Sequence, residues 1–180
     1  MISRSAARDN AKPSQGAVVP VRRTPISLAR RFHQICIAAV ADALTGEELT
    51  PLEAGVLAYL NRVTGDPDID QNGLAERLGV DRSHASLLVE KLVVRGLVER
   101  RINTENRRAL LLRLNPVGEK IYARIRPRAF GAQEHILEVL PTKERALLID
   151  LLARVVEGNR ILARPGAGRQ KRRSSSSSQG

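Results

Sequence analysis

Only one cysteine, Cys36, occurs in the chain, which excludes an internal disulfide and fits a reducing compartment. Tryptophan is absent and tyrosine and phenylalanine occur twice each, so a ligand pocket built from stacked rings is not expected. The three histidines, His33, His84 and His135, are scattered. His33 and Cys36 share one helical face but find no third ligand nearby, so neither a metal site nor a cofactor is expected. No paired-carboxylate, Ser/His/Asp or phosphate-loop spacing nominates a catalytic group, and enzymatic activity is not expected. No apolar run approaches the ~20 residues that span a bilayer, so no membrane partner is expected. The opening MISRSAAR lacks the apolar segment of a secretory signal and reads as a cytosolic tail, which predicts a cytoplasmic protein.

Basic charge, in contrast, is plentiful and unevenly placed. Of the net +11, residues 1–25 carry +4 and residues 160–180 carry +6, leaving +1 for everything between. Within that interior, residues 81–128 hold twelve basic against five acidic side chains, while 26–80 hold four against eight and 129–159 three against five. A basic middle between acidic flanks points to a polyanion-binding face on a specific element, with the tails adding a diffuse attraction.

The remaining pattern is mostly helical. Residues 1–25, with Pro13, Gly16, Pro20 and Pro25, and residues 164–180, RPGAGRQKRRSSSSSQG, read as disordered basic tails. Leu28, Phe32, Ile35, Cys36, Ala39, Val40 and Ala43 recur at helical spacing and predict an amphipathic helix over about 26–44. Thr50, Pro51 and Glu53 form a helix-start signal. A short helix over 70–78 should end at Gly79, and Asp81 should cap another that runs to Arg95 and closes at Gly96. Residues 97–102 and 109–114 read as strands of a hairpin around NTENRR. A helix from Pro116 to about Leu140 should kink at Pro127. The last helix, about 142–162, carries a broad apolar face of Leu147, Leu148, Leu151, Leu152, Val155 and Val156, which calls for a partner beyond its own small domain.

The stretch LAERLGVDRSHASLLVEKLVVRGLVER, residues 74–100, therefore reads as a helix-turn-helix. Leu74, Ala75, Leu78, Val80, Ala85 and Leu88 interlock, and the outer face of the second helix is left for a major groove. Together with LTPLEAGVLAYL, the wing NTENRRALLLRLNPVGE and the long terminal helices, the segment resembles the MarR family of bacterial winged helix-turn-helix transcription regulators over about residues 26–162. The resemblance implies a mainly α fold with a small β-hairpin wing and a helical dimerisation domain formed by both ends of the chain. On that reading 26–48 and 115–163 would dimerise and 49–114 would bind DNA, the tails being 1–25 and 164–180. It further implies a homodimeric repressor on a pseudo-palindromic operator in double-stranded DNA, released by a small anionic or aromatic-acid-type effector. Two departures stand out. Asn106 occupies the aspartate position before the wing arginines, and Leu87 stands where the family often has a basic residue, which opens a thymine-methyl contact.

Candidate DNA-binding residues are Arg82, Ser83, His84, Ser86 and Lys91 on the second helix and Arg107 and Arg108 on the wing. Arg82 and Lys91 suit phosphates, the serines and the histidine suit base edges, and the wing arginines suit a minor groove. Of Arg100 and Arg101, which alternate across their strand, one would face DNA. Arg30, Arg31 and His33 are candidates to meet an acidic effector. Two alternatives stay open: a thiol-based redox sensor acting through Cys36, whose apolar setting ICIAAV favours an inert thiol, and a sequence-tolerant architectural DNA-binding protein served by the basic tails.

Overall fold

The structure, a computed structural model, describes residues 20–63, 65, 69–102, 110–160 and 162. Both predicted tails fall largely outside the described residues, as does the hairpin tip 103–109 with Asn106, Arg107 and Arg108. Among the described residues six α-helices and one two-stranded sheet follow in the order α1 (Pro25–Ala43), α2 (Pro51–Leu60), α3 (Gln71–Leu78), α4 (Arg82–Val94), β1 (Val98–Ile102), β2 (Leu110–Leu114), α5 (Pro116–Ile136) and α6 (Thr142–Gly158). The chain divides into two compact units at the Ile35–Cys36 junction inside α1.

In the first unit a 3-10 turn, Val21–Arg23, leads into α1. Thr24 joins them: its hydroxyl donates to the Val21 carbonyl at 2.9 Å and accepts from the Ser27 amide at 3.4 Å.

In the second unit the helix starts follow their capping residues. Thr50 and Glu53 form a reciprocal capping box at α2, with Pro51 at the first helical position. Asp70 accepts from the Gly73 amide at 2.7 Å, Asp81 from His84 at 2.8 Å, and Asn115 from Val117 and Gly118, both at 2.9 Å. Gly79 closes α3 at φ +67°, a left-handed conformation that favours glycine.

The core lies where α2, α3, α4, the sheet and the first half of α5 meet. Val56, Leu57, Leu60, Leu74, Val89, Leu92, Leu112 and Ile125 are fully buried there. Each such aliphatic side chain contributes about 1.5–3 kcal/mol on leaving water. Ala75 and Ala85 are also buried, and their small size lets α3 and α4 pack closely. The strands pair antiparallel, Val98 opposite Leu114 and Arg100 opposite Leu112, and Leu112 also donates its amide to the Ile69 carbonyl at 2.9 Å.

Two helices end earlier than their apolar patterns suggest. α5 continues through Pro127 but stops at Ile136, not Leu140. Arg145 reaches back and donates to the carbonyls of Leu140 (2.8 Å) and Glu138 (3.4 Å), which satisfies the turn between the helices. α6 stops at Gly158, where the Asn159 amide side chain donates to the Val155 carbonyl at 2.8 Å. Among the described residues no helix is long and apolar enough to cross a membrane.

Candidate nucleic-acid interface

The Asp81 cap sets the start of α4, and the helical period then divides its side chains between core and solvent. Ala85, Leu88, Val89 and Leu92 point inward, whereas Arg82, Ser83, His84, Leu87, Glu90, Lys91 and Val94 are exposed. Of the helix residues singled out from the sequence, four therefore share the outer surface, and Ser86 is half-buried at its edge.

The cations of the basic middle differ in how far they are committed. Arg82 has no ion-pair partner among the described residues. Lys91 does have one: its Nζ lies 2.7 Å from Oε1 of Glu53, whose side chain is 1% exposed, and Arg95 stands 3.8 Å from the other oxygen. The same carboxylate accepts from the Thr50 amide at 2.8 Å. Burial alone would raise the Glu53 pKa, but hydrogen bonds from Lys91 and Thr50, with the Lys91 charge, outweigh it and hold the carboxyl below its usual range. Lys91 thus has a structural task that the sequence reading did not assign: it ties α4 to the start of α2.

On the wing, Arg100 pairs with Glu90 of α4 and Arg101 with its strand neighbour Glu99, each at 2.7 Å. Further along, Arg124 and Arg128 converge on Glu47, at 2.6 and 2.9 Å. The hydrogen bond from Arg124 is the main reason the Glu47 carboxyl is lowered below its usual range. These two arginines brace α5 against the loop after α1. Where the wing meets α5, Gly118 lies directly beneath the Leu97 carbonyl with no room for a Cβ. The Asn115 side chain donates to the Gly96 carbonyl at 2.6 Å across the same junction.

A separate cavity of about 150 Å³ lies between Val40 of α1, Pro51, Ala54 and Ala58 of α2, and Tyr122, Ile125, Arg126, Phe130 and Gln133 of α5. Its lining is mostly apolar, with Arg126 and Gln133 as polar groups, and the Arg126 guanidinium sits 5.7 Å from the centre of the Phe130 ring. Sequence reasoning missed this site because its walls come from three separate segments. Arg30, Arg31 and His33 are exposed on α1 in the first unit. Cys36 is half-buried, and burial raises its thiol pKa against a smaller lowering by a backbone hydrogen bond, which disfavours the reactive thiolate. No cluster of three or more potential metal ligands occurs among the described residues.

Residues 48–109, which include α2, α3, α4 and β1, match the MarR family profile. A transcriptional regulatory protein proposed for the hcr operon of Thauera aromatica is 32% identical over 135 residues, 75% of this chain and 75% of the relative. The chain belongs to the MarR family. Among solved MarR-like structures, PcaV of Streptomyces coelicolor in complex with its natural ligand matches with a TM-score of 0.65 at 31% identity, over 79% of this chain and 98% of that one. CouR of Rhodococcus jostii RHA1, bound to p-coumaroyl-CoA, matches with a TM-score of 0.64 at 26% identity, over 72% and 89%. As a MarR-family protein the chain is a DNA-binding transcription regulator and not an enzyme.

Proposed function

We propose that this chain acts as a homodimeric repressor on a pseudo-palindromic operator and is released by a small aromatic-acid-type anion. In this reading Arg82, Ser83, His84, Ser86 and Lys91 enter or flank a major groove, and Arg107 and Arg108 enter the adjacent minor groove. The observation that carries it is the N-terminal half of α4: Arg82, Ser83 and His84 are all exposed beside the Asp81 cap, on a helix whose opposite face is locked into the core. A rigid helix with its N-terminal donors in solvent is what base readout in a major groove requires.

Dimerisation is supported by α6, where Leu147, Leu151, Leu152, Val155 and Val156 are exposed, Val155 to 62%. A second copy would cover a face that is costly in water, with 26–48 and 115–163 supplying the joint helical domain. The effector reading is supported by the cavity between α1, α2 and α5. Its volume suits one six-membered ring, and Arg126 offers a cation to an acid group on that ring. Arg30, Arg31 and His33 remain candidate acid contacts. PcaV is seen with its natural ligand and CouR with the thioester of an aromatic acid, p-coumaroyl-CoA, which makes aromatic acids and their thioesters the class to try first. The reading places the regulator in the cytoplasm with its DNA.

Selection of binding sites from random DNA tests the proposal. Inverted repeats with half-sites ~10 base pairs apart are expected, and titration of the recovered complex with aromatic carboxylates should release it. Recovery of sites without inverted symmetry overturns the two-helix placement.

A further inference from the structure

Leu87 is the largest apolar side chain on the outer face of α4 and is 71% exposed, while the helix's other leucines, Leu88 and Leu92, are buried. It follows Ser83 by one turn and precedes Lys91 by another, so it stands between a hydroxyl and a cation on the surface assigned above to DNA. Together with His84 and Lys91 it also borders a shallow groove against Leu52 of α2. A leucine there can neither donate nor accept a hydrogen bond. It gains only by removing another apolar group from water, and the floor of a major groove offers one such group, the C5-methyl of thymine.

We propose that Leu87 is a specificity-determining residue that packs on a thymine methyl in each half-site. The inference rests on the reading of α4 as the groove-entering helix. A cytosine or guanine at the same step would present an amino group or oxygen to the leucine, and that polar group would lose its water without gaining a partner. The contact therefore selects thymine by both attraction to the methyl and exclusion of the polar edges.

Deoxyuridine differs from thymidine only by lacking the methyl, so it removes this contact without altering base pairing. Each thymine of the selected operator is replaced in turn by deoxyuridine, and Kd is measured for the wild-type protein, Leu87→Ala and His84→Ala. One thymine in each half-site should be sensitive, losing about three- to fivefold in affinity per methyl with wild type, the scale of one buried methylene. With Leu87→Ala that sensitivity should vanish, and with His84→Ala it should persist. Leu87 is exposed, so its thermal midpoint should match wild type and confirm that the variant is folded. A wild-type protein that binds an inverted repeat but ignores every deoxyuridine overturns the role of Leu87 and leaves the repressor reading standing. Equal sensitivity in Leu87→Ala assigns the methyl to another residue and also overturns it. Failure to select any preferred DNA sequence overturns both.

Discussion

Lys91 Nζ and Oε1 of Glu53 stand 2.7 Å apart, and this pair joins α4 to the first turn of α2. Its two ends are unlike: the lysine side chain is 57% exposed and the glutamate is buried. Lys91→Met should cost about 1–3 kcal/mol of unfolding free energy, because a buried carboxylate is left short of a donor, against ~0–1 kcal/mol for a fully exposed pair. Combining Lys91→Met with Glu53→Gln should cost less than the two single changes added together. Urea melts of the four proteins measure this coupling, and strict additivity would show that the pair does not brace the helix.

Acid should weaken the fold through the same groups. Glu53 and Glu47 are both lowered below the usual carboxylate range, so each releases its proton more readily in the native state than in the unfolded chain. Their stabilisation is complete above the ordinary carboxylate pKa and is lost as pH falls through the lowered native values. Denaturation midpoints should be level near neutrality and drop below about pH 4–5. In Lys91→Met the Glu53 carboxyl loses its main favourable partner and burial moves its native pKa up, so the loss of stability on acidification should be shallower than in wild type. A midpoint that rises on acidification contradicts this assignment.

Gly118→Ala should destabilise the wing's attachment. The added Cβ overlaps the Leu97 carbonyl oxygen, a backbone atom that cannot rotate aside. A loss of about 1–3 kcal/mol is expected, compared with little or no loss for Gly131→Ala, whose Cβ would meet open space within α5. Thermal midpoints of the two variants make the comparison, and equal values would show that the close approach relaxes freely.

DNA contacts should separate by type. Arg82→Ala removes a cation with no ion-pair partner among the described residues, so it should weaken binding on all sequences and flatten the salt dependence by ~0.9 in log–log slope per lost phosphate contact. His84→Ala and Ser86→Ala should instead relax one or two positions of each half-site at ~1–3 kcal/mol per good base contact. Because Ser86 is half-buried, the larger change should come from His84. Salt titrations and site selection with the three variants distinguish these effects. Unchanged preferences in both His84→Ala and Ser86→Ala would move base reading to other residues.

Dimerisation should depend on α6. Val155→Glu places a charge on an exposed apolar face, so a monomer would tolerate it, whereas a dimer that buries this face would dissociate or weaken at least tenfold. Sedimentation at micromolar concentration decides between them, and a wild-type monomer would remove the two-half-site operator.

What the sequence determined by itself was local. Thr50, Asp70, Asp81 and Asn115 cap their helices within three residues, Gly79 turns the chain where a left-handed conformation is needed, and two short β-like runs on either side of NTENRR mark the strands. Those signals act through short-range sterics and hydrogen bonds, so the helix-turn-helix and the exposed Arg82–His84 edge were legible before any packing was known. Tertiary structure decided the rest. Glu53 looked like a capping residue alone, and only the docking of α2 on α4 made it the partner of Lys91. Gly118 and Leu97 meet because the hairpin folds back onto α5, and Arg126 gained a cavity because three segments close around it. Ser86 and Leu87 are neighbours in sequence, yet the orientation of α4 on the core turned the serine half inward and left the leucine in solvent. Helical periodicity defines a face, but which way that face points depends on contacts between residues distant in the chain.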